Sequence, residues 1–170
     1  MEEPNAIQRI GRMGLKLAEK LAFLPPLFTR LVLGWSFHLA GKGKLDDIEQ
    51  AVKNFTKMGI AMPEFNARFI GALECYGGIL LMIGLLTRPV AALLGATMLV
   101  ALMTAHAGQV ADIWKEKGDF ADVVPIMFGA SMLWLLVYGP GLISIDAIIR
   151  KALHIDEPAT TAQATTIPTA

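Results

Sequence analysis

Residues 65–86 read FNARFIGALECYGGILLMIGLL, and this stretch decides the fold. Only Arg68 and Glu74 are charged within it, and four glycines are spread along its length. Crossing the hydrocarbon core of a bilayer, which is about 30 Å thick, takes roughly 20 consecutive and mostly apolar helical residues. Small residues at this density are typical of helices that pack closely inside membranes. The stretch therefore predicts a membrane-spanning helix.

The rest of the chain shows the same separation of charged and apolar segments. Hydrophobic residues make up 54% of the sequence and charged residues 18%. Soluble domains have about 25% charged residues, so the lower value favours a membrane protein. The apolar segments predict three more spans, and the fold class is an all-α membrane protein, a four-transmembrane-helix bundle over residues 24–141. The predicted spans are about residues 25–41, 65–86, 90–105 and 123–138.

Short helices at the membrane surface are predicted on both sides of the bundle. Residues 1–23 have basic residues on one helical side and apolar residues on the other, which predicts an N-terminal interfacial amphipathic helix. In the connection before Pro63, Asp46 and Glu49 have capping-box spacing and predict a surface helix. Residues 107–122 are predicted as a polar loop, residues 142–155 as an interfacial helix capped by Ser144, and residues 156–170 as a disordered tail.

Charge and cysteine content exclude some classes of function. Basic and acidic residues both number 15, so no overall field favours nucleic acid, and none is expected as a partner. Cys75 is the only cysteine, which rules out an internal disulfide and favours a packing role. Four spans place both termini on one side of the membrane. The basic residues before the first span favour the cytoplasmic side.

Glu74 is the most informative side chain, because it lies near the midpoint of an apolar span. A charge at the centre of a span costs about 2.5–3.5 kcal/mol on insertion scales, whereas each Leu, Ile or Phe returns only about 0.3–0.6 kcal/mol. One interpretation is a structural ion pair with Arg30, which lies near the centre of the neighbouring antiparallel span. The other is a carboxylate that handles protons or faces a ligand. Both remain open at this stage.

Further polar residues are expected in the same half of the bundle. His38 and His106 lie towards the same leaflet, and with Lys44, Glu74 and Asp122 they could form a polar pocket. Each histidine alone is also compatible with an ordinary hydrogen-bonded residue, and Asp122 with the N-cap of the fourth span. Two histidines on different spans could ligate a haem, but the signal is weak. The sequence contains no zinc motif, phosphate loop or nucleophile elbow, so no metal site is predicted.

Four segments together resemble one family of membrane proteins. These are RLVLGWSFHLAGKGK at residues 30–44, ECYGGILLMIGLLTR at residues 74–88, His106 at the end of the third span, and GPGLISID at residues 139–146. They are similar to the signature segments of the DoxX and DoxD-like integral membrane proteins. The resemblance implies a four-helix fold and an association with quinone-linked or thiol-stress oxidoreductase complexes. Asp122 stands where the family often has glutamate.

Three functions follow from this resemblance and these residues. The first is a quinone-linked subunit of a membrane oxidoreductase, with no built-in cofactor. Its candidate catalytic residues are Glu74 and His106, and its candidate quinone-binding residues are Arg30, His38, Glu74, His106 and Asp122. The second is a non-catalytic anchor that assembles soluble redox enzymes at the membrane. The third is a small transporter, although four spans without a repeat fit that class poorly.

The expected surroundings of the protein are the same for all three functions. The chain is expected to be a multi-pass protein of a bacterial or archaeal cell membrane, with both termini cytoplasmic. Its expected partners are the lipid bilayer and either soluble redox enzymes or further copies of this chain.

Overall fold

Helices make up the whole secondary structure of the described part of the chain. The structure, a computed structural model, describes residues 6–115, 118–119 and 122–153, without the side chains of residues 6–12 and 114. No strand occurs within these ranges. The helices are α1 (Ala6–Leu21), α2 (Leu24–Asp46), α3 (Ile48–Lys57), α4 (Pro63–Ile83), α5 (Thr87–Met103), α6 (Ala107–Trp114), α7 (Val124–Tyr138) and α8 (Ile145–Ala152). The all-α prediction is therefore confirmed.

Helices α2 and α4 pack most closely, and they do so through four glycines that we call the glycine contact: Gly34, Gly41, Gly71 and Gly78. A methyl group added to Gly34 would lie 2.7 Å from the carbonyl oxygen of Gly78, and one added to Gly41 would lie 2.6 Å from that of Gly71. These pairings show that the two helices run antiparallel. Backbones can approach this closely only where no side chain intervenes, which is the usual role of small residues between membrane helices.

Helices α5 and α7 form a second close pair beside the first. One core cluster joins all four helices, with inward-facing residues from each. Its buried members are Leu33, Phe37, Leu81, Val90, Ala91, Leu94, Met132 and Leu135. A smaller cluster of Ala51, Phe55 and Ala67 holds α3 across one end of the α2–α4 pair.

Charged residues lie inside this bundle while large apolar residues lie outside it. The residue exposure of Arg30 is 1% and that of Glu74 is 4%, whereas Phe28 is 69% exposed and Leu99 is 62% exposed. Monomeric soluble proteins rarely expose wide apolar surfaces. Intramembrane charges, by contrast, almost always face the interior of the bundle. The distribution is therefore that of a protein surrounded by lipid.

Fewer helices have the length and hydropathy of a membrane span than the four that were predicted. Within the described residues, only α4 is both long and apolar enough to cross a membrane by itself. Helices α5 and α6 count as a second span if they form one crossing bent by 76°. Helix α2 is long enough at 23 residues but contains Arg30, His38 and two prolines, and α7 is apolar but has 15 residues. The number of crossings therefore remains a prediction.

Some predicted boundaries differ from the structure. Helix α2 does not end near Gly41 but continues to Asp46, because Gly41 is fixed against α4 and does not act as a stop. The side chain that caps α3 is that of Asp47, which accepts a hydrogen bond from the Gln50 amide at 3.0 Å, and not that of Asp46.

Of two segments in the C-terminal half, one differs from its prediction and the other agrees with it. Residues 107–122 were expected to be a polar loop, but they begin with α6. Helix α8 starts where predicted, and the Ser144 hydroxyl accepts the Ala147 amide at 3.1 Å as its cap. The predicted tail, residues 156–170, lies outside the described residues.

Candidate functional site: a cavity beside a buried ion pair

The extension of α2 beyond Gly41 brings a lysine to Glu74. Lys44 Nζ donates a hydrogen bond to Glu74 Oε2 across the α2–α4 contact. The Glu74 side chain is 5% exposed and that of Lys44 is 28% exposed. Burying two charges is costly unless they are paired in good geometry, so each of these residues depends on the other.

The ion pair borders a cavity of about 450 Å³ at this end of the bundle. Its volume falls within the range of roughly 300–1,000 Å³ that is usual for small-molecule sites. Most of the lining is apolar and comes from α2, α3, α4, α5 and α7. It includes Phe37, Phe55, Met58, Ile70, Met98 and Phe128.

Few polar groups reach this cavity. Thr97 and Thr104 line it, and their hydroxyls donate to the backbone oxygens of Leu94 and Val100 in α5, both at 2.7 Å. Among the described lining residues, the ionisable groups are the ion pair and the imidazole of His106. A pocket that is mostly apolar with a few converging polar groups is the usual form of a ligand site.

His106 lies at the bend between α5 and α6. Its Nδ1 is 2.6 Å from Gln109 Oε1, which accepts a hydrogen bond from the Nδ1–H group. In this tautomer, which is inferred from the hydrogen bond, Nε2 of the neutral ring is an acceptor, and protonation of the ring makes Nε2 a donor. The bend positions this ring on the cavity wall beside Ala105.

The predicted ion pair between Arg30 and Glu74 is wrong. Gly41 packs against Gly71 and Cys75, so Glu74 is level with Gly41 and not with Arg30. Eleven residues of α2 separate the two levels, which is about 16 Å of helix. The sequence did not reveal this register, because the depth of each span was estimated from its midpoint.

Arg30 instead lies at the opposite end of the bundle. Its Nη2 donates to the carbonyl oxygen of Ile143, and its guanidinium lies against Gly84. Among the described residues, Arg30 Nε and Nη1 have no hydrogen-bond partner. Arg30 is therefore not on the cavity that contains the ion pair.

His38 and Asp122 also lie away from the cavity lining. His38 Nδ1 is 3.1 Å from the backbone oxygen of Cys75 and 3.5 Å from its sulfur, so the ring faces the α2–α4 contact. Asp122 is exposed, and the residue at the N-cap of α7 is Val123, with no side-chain hydrogen bond. The N-cap interpretation of Asp122 is therefore wrong. Of the five proposed ligand-binding residues, Glu74 and His106 line the cavity.

Sequence reasoning missed two contributors to this site. The first is the role of Lys44 as the partner of Glu74, which becomes visible only once the register of α2 and α4 is known. The second is α3, whose Phe55 and the following Met58 form part of the cavity wall. The amphipathic spacing of α3 indicated a buried side, but not what that side would cover.

The other motif segments meet at the end that contains Arg30. Asp146 Oδ1 and Oδ2 accept hydrogen bonds from the amides of Leu86 and Thr87, both at 2.8 Å. The Asp146 amide in turn donates to the Gly84 oxygen at 2.9 Å. Arg88 Nη2 donates to the oxygen of Val137 at 3.2 Å. The α4–α5 turn is thus joined to the start of α8.

Comparison with known proteins agrees with the motifs. Residues 26–107 match the family model described as DoxX. The chain is 35% identical over 78 residues to the "Putative oxidoreductase CatD" of Bacillus subtilis, an alignment covering 46% of this chain and 57% of that protein. It is 29% identical over 126 residues to the "Inner membrane protein YphA" of Escherichia coli, covering 71% of this chain and 86% of that protein.

The chain therefore spans little more than half the length of the Bacillus relative, and most of the Escherichia relative. No solved structure matches the chain significantly. The matched region contains the first two motif segments, the α2–α4 ion pair and His106, whereas the segment at residues 139–146 and the cavity residues of α7 lie outside it. The resemblance drawn from those residues is thus confirmed for residues 26–107, the part of the chain that matches the DoxX family model.

Proposed function

We propose that this protein is a multi-pass membrane protein that binds a quinone in the cavity beside Glu74 and serves a membrane-associated redox complex. The observation that carries the proposal is a mostly apolar cavity of about 450 Å³ that is bordered by the Lys44–Glu74 pair and by His106. An apolar tail suits the hydrophobic lining, and a head with carbonyl or hydroxyl oxygens suits the three polar groups.

The proposed membrane arrangement uses α2, α4, α5 with α6, and α7 as four crossings. Helices α2 and α4, with 23 and 21 residues, are each long enough to cross about 30 Å of hydrocarbon. Helix α7, with 15 residues, would require local thinning of the bilayer. The exposed apolar side chains around the bundle support this arrangement. Helices α1 and α8 would then lie at the cytoplasmic surface.

Each polar group on the cavity has a distinct task in this proposal. The reduction of a quinone takes up two electrons and two protons, and its oxidation releases them. Lys44, and His106 when protonated, would donate hydrogen bonds to the oxygens of the head. Glu74 would exchange a proton with the head while Lys44 holds its carboxylate in place. The electrons would pass to or from the redox centre of a partner enzyme.

The relatives support a redox role and a membrane location. The name of the Bacillus protein contains the word oxidoreductase, and the name of the Escherichia protein places it in the inner membrane. A role beside a redox enzyme combines both. The aromatic side chains of Phe37 and Phe128, whose ring centroids are 5.4 Å apart in an edge-on arrangement, offer apolar contact surface to the ring of a quinone.

The test is the binding of a short-tailed quinone analogue to the detergent-solubilised protein. Glu74→Gln and His106→Ala should each weaken binding about tenfold, because the first removes the carboxylate that faces the head and the second removes a hydrogen bond to it, an effect of roughly 1–2 kcal/mol. His38→Ala is the matched control, because His38 is a half-buried histidine on α2 that does not line the cavity. Binding that is absent, or unchanged by both cavity variants, would contradict the proposal.

A second candidate function is the anchoring of soluble redox enzymes without ligand binding. The observation in its favour is the outer side of α3, which exposes charged and polar residues at the cavity end of the bundle. They are Glu49, Gln50, Lys53, Asn54 and Lys57. A partner that co-purifies with the native protein and is lost on Lys53→Glu together with Lys57→Glu, while quinone binding is absent, would favour the anchor.

A further inference from the structure

A second cavity, which we call the α5–α7 groove, lies beside the cavity that contains Glu74. Its volume is about 400 Å³, and none of the described residues that line it has a polar side chain. Met98 of α5 and Pro125 of α7 line both spaces. The groove therefore adjoins the cavity beside Glu74 and shares part of its wall.

The groove is open to the surroundings of the bundle. Several of its lining residues are exposed, on both helices: Ala92, Ala96, Leu99, Ala130 and Leu133. In the proposed membrane arrangement, these residues face the acyl chains of the bilayer. A long apolar chain would therefore reach the groove sideways from the membrane without crossing water.

The groove follows α5 over most of its length. Its lining residues on this helix extend from Ala91 to Leu102, which is about 16 Å of helix. Leu102 lies near the end of α5 that leads to His106, whereas Ala91 lies near the α4–α5 turn. A chain in the groove would thus start at the level of the cavity beside Glu74 and run towards the opposite end of the bundle.

The glycines of the groove leave space and do not serve the contact between the two helices. A methyl group added to Gly95 would lie 3.4 Å from Met132 Cβ, and one added to Gly129 would lie 3.7 Å from Met98 Cβ. These are ordinary van der Waals distances, whereas the corresponding distance from Gly34 to the backbone of α4 is only 2.7 Å. Helices α5 and α7 would pack equally well with alanine at both positions. The space is therefore available to another apolar group.

We propose that the ligand of the cavity beside Glu74 is a quinone with a long isoprenoid tail, and that this tail lies in the α5–α7 groove. The inference rests on the proposed function and adds the class of quinone and the path of its tail. The head and the start of the tail occupy the cavity beside Glu74, and the rest of the tail passes Met98. The unbranched side chain of methionine is flexible, so it adapts to a chain that lies against it.

The first test compares two quinones with the same head, one without a tail and one with several isoprene units. Their affinities are measured on the detergent-solubilised protein. The long-tailed quinone should bind about tenfold more tightly, because the groove gives its tail closer contacts than the loose interior of a micelle does. Equal affinities would overturn this inference and leave the proposed function intact. Absence of binding by both quinones would contradict the proposed function and this inference with it.

Variants of the groove then locate the tail. Ala96→Phe on α5 and Ala130→Leu on α7 enlarge exposed side chains that line the groove, so each should bring the affinities of the two quinones close to equality. The readout is a ratio of two affinities on the same variant, so a general loss of stability does not imitate it. Leu93→Phe is the matched control, because Leu93 is an exposed residue of α5 that does not line the groove. An equal change in the control, or an unchanged ratio in both groove variants, would overturn the inference.

A photoreactive tail distinguishes the quinone from other occupants of the groove. A quinone whose tail ends in a diazirine should label α5 and α7, and an excess of the tailless quinone should reduce this labelling because both compete for the head site. Equal labelling by a fatty alcohol with the same diazirine would show that the groove holds any membrane lipid. Loss of a dimer in Ala96→Phe would show that a second copy of this chain covers the groove. Either result would overturn the proposal.

Discussion

The two ends of the bundle each bury a charged residue, but they surround it differently. At one end, Glu74 is paired with Lys44 and borders a cavity of about 450 Å³. At the other end, Arg30 contacts backbone, donating to Ile143 and lying against Gly84. A buried charge whose neighbours are main-chain groups fastens segments together, whereas one that borders open space is available to a ligand. In the proposed function, the end with Arg30 is structural and the end with Glu74 binds the ligand.

The largest effect should come from testing whether the two ends lie on opposite sides of the membrane. In a Cys75→Ser background, Thr56→Cys on α3 and Ala152→Cys on α8 should be labelled by an impermeant thiol reagent from opposite sides only. Both positions are exposed, so access to the reagent is not limiting. Labelling of both from the same side would contradict the four crossings and with them the assignment of the two ends.

A large loss of stability is expected from Asp146→Ala at the structural end. The change removes the acceptor of two backbone amides, and the amide of buried Thr87, left without a partner, costs about 1–3 kcal/mol. Thermal unfolding in detergent should therefore show a marked decrease in stability. Asp122→Ala is the control, because Asp122 is exposed and its loss should change the free energy of unfolding by less than about 0.5 kcal/mol. Equal behaviour of the two variants would show that the α4–α5 turn does not depend on α8.

A smaller effect is expected when the coupling energy of the ion pair at the cavity end is compared with that of a surface ion pair. In a double-mutant cycle, Lys44→Leu and Glu74→Leu should show a coupling energy of about 0.5–3 kcal/mol, since each single change leaves a buried charge alone. Lys42 and Asp46 provide the matched cycle, because they form an exposed pair at 2.8 Å on the same helix. That pair should couple much more weakly, because water screens two exposed charges.

The same measurements can be made on Arg30→Leu combined with Glu74→Leu. Because about 16 Å of helix separates the levels of the two residues, their effects should simply add. A strong coupling between Arg30 and Glu74, or none between Lys44 and Glu74, would contradict the register of α2 against α4.

Local features could be predicted from the sequence, and relations between helices could not. The cap of α8 at Ser144 follows from neighbouring residues alone, and it is found where expected. The partner of Glu74 depends on the register of α2 against α4. This register is determined by the positions of the glycines on both helices. Helix α6 was missed because Asp112 and the charges after it indicated a loop, although the residues from Ala107 to Val110 are compatible with a helix.

The candidate site illustrates the same limit. Glu74 and His106 were recognised because the sequence alone shows a charged residue within an apolar span and a histidine at the end of a span. Lys44 was predicted to be part of the pocket but not to pair with Glu74, because lysines commonly flank the ends of membrane spans. The resemblance to DoxX proteins indicated which segments matter, but not that they divide between opposite ends of the bundle.

The glycine contact between α2 and α4 has a mechanical consequence. The two helices touch at two levels, where Gly34 meets Gly78 and where Gly41 meets Gly71, and Lys44 and Glu74 lie just beyond the second level. A side chain as small as that of alanine at Gly41 would push the two backbones apart next to the ion pair. The strength of the ion pair is then set by the absence of a methyl group less than one helical turn away from Lys44.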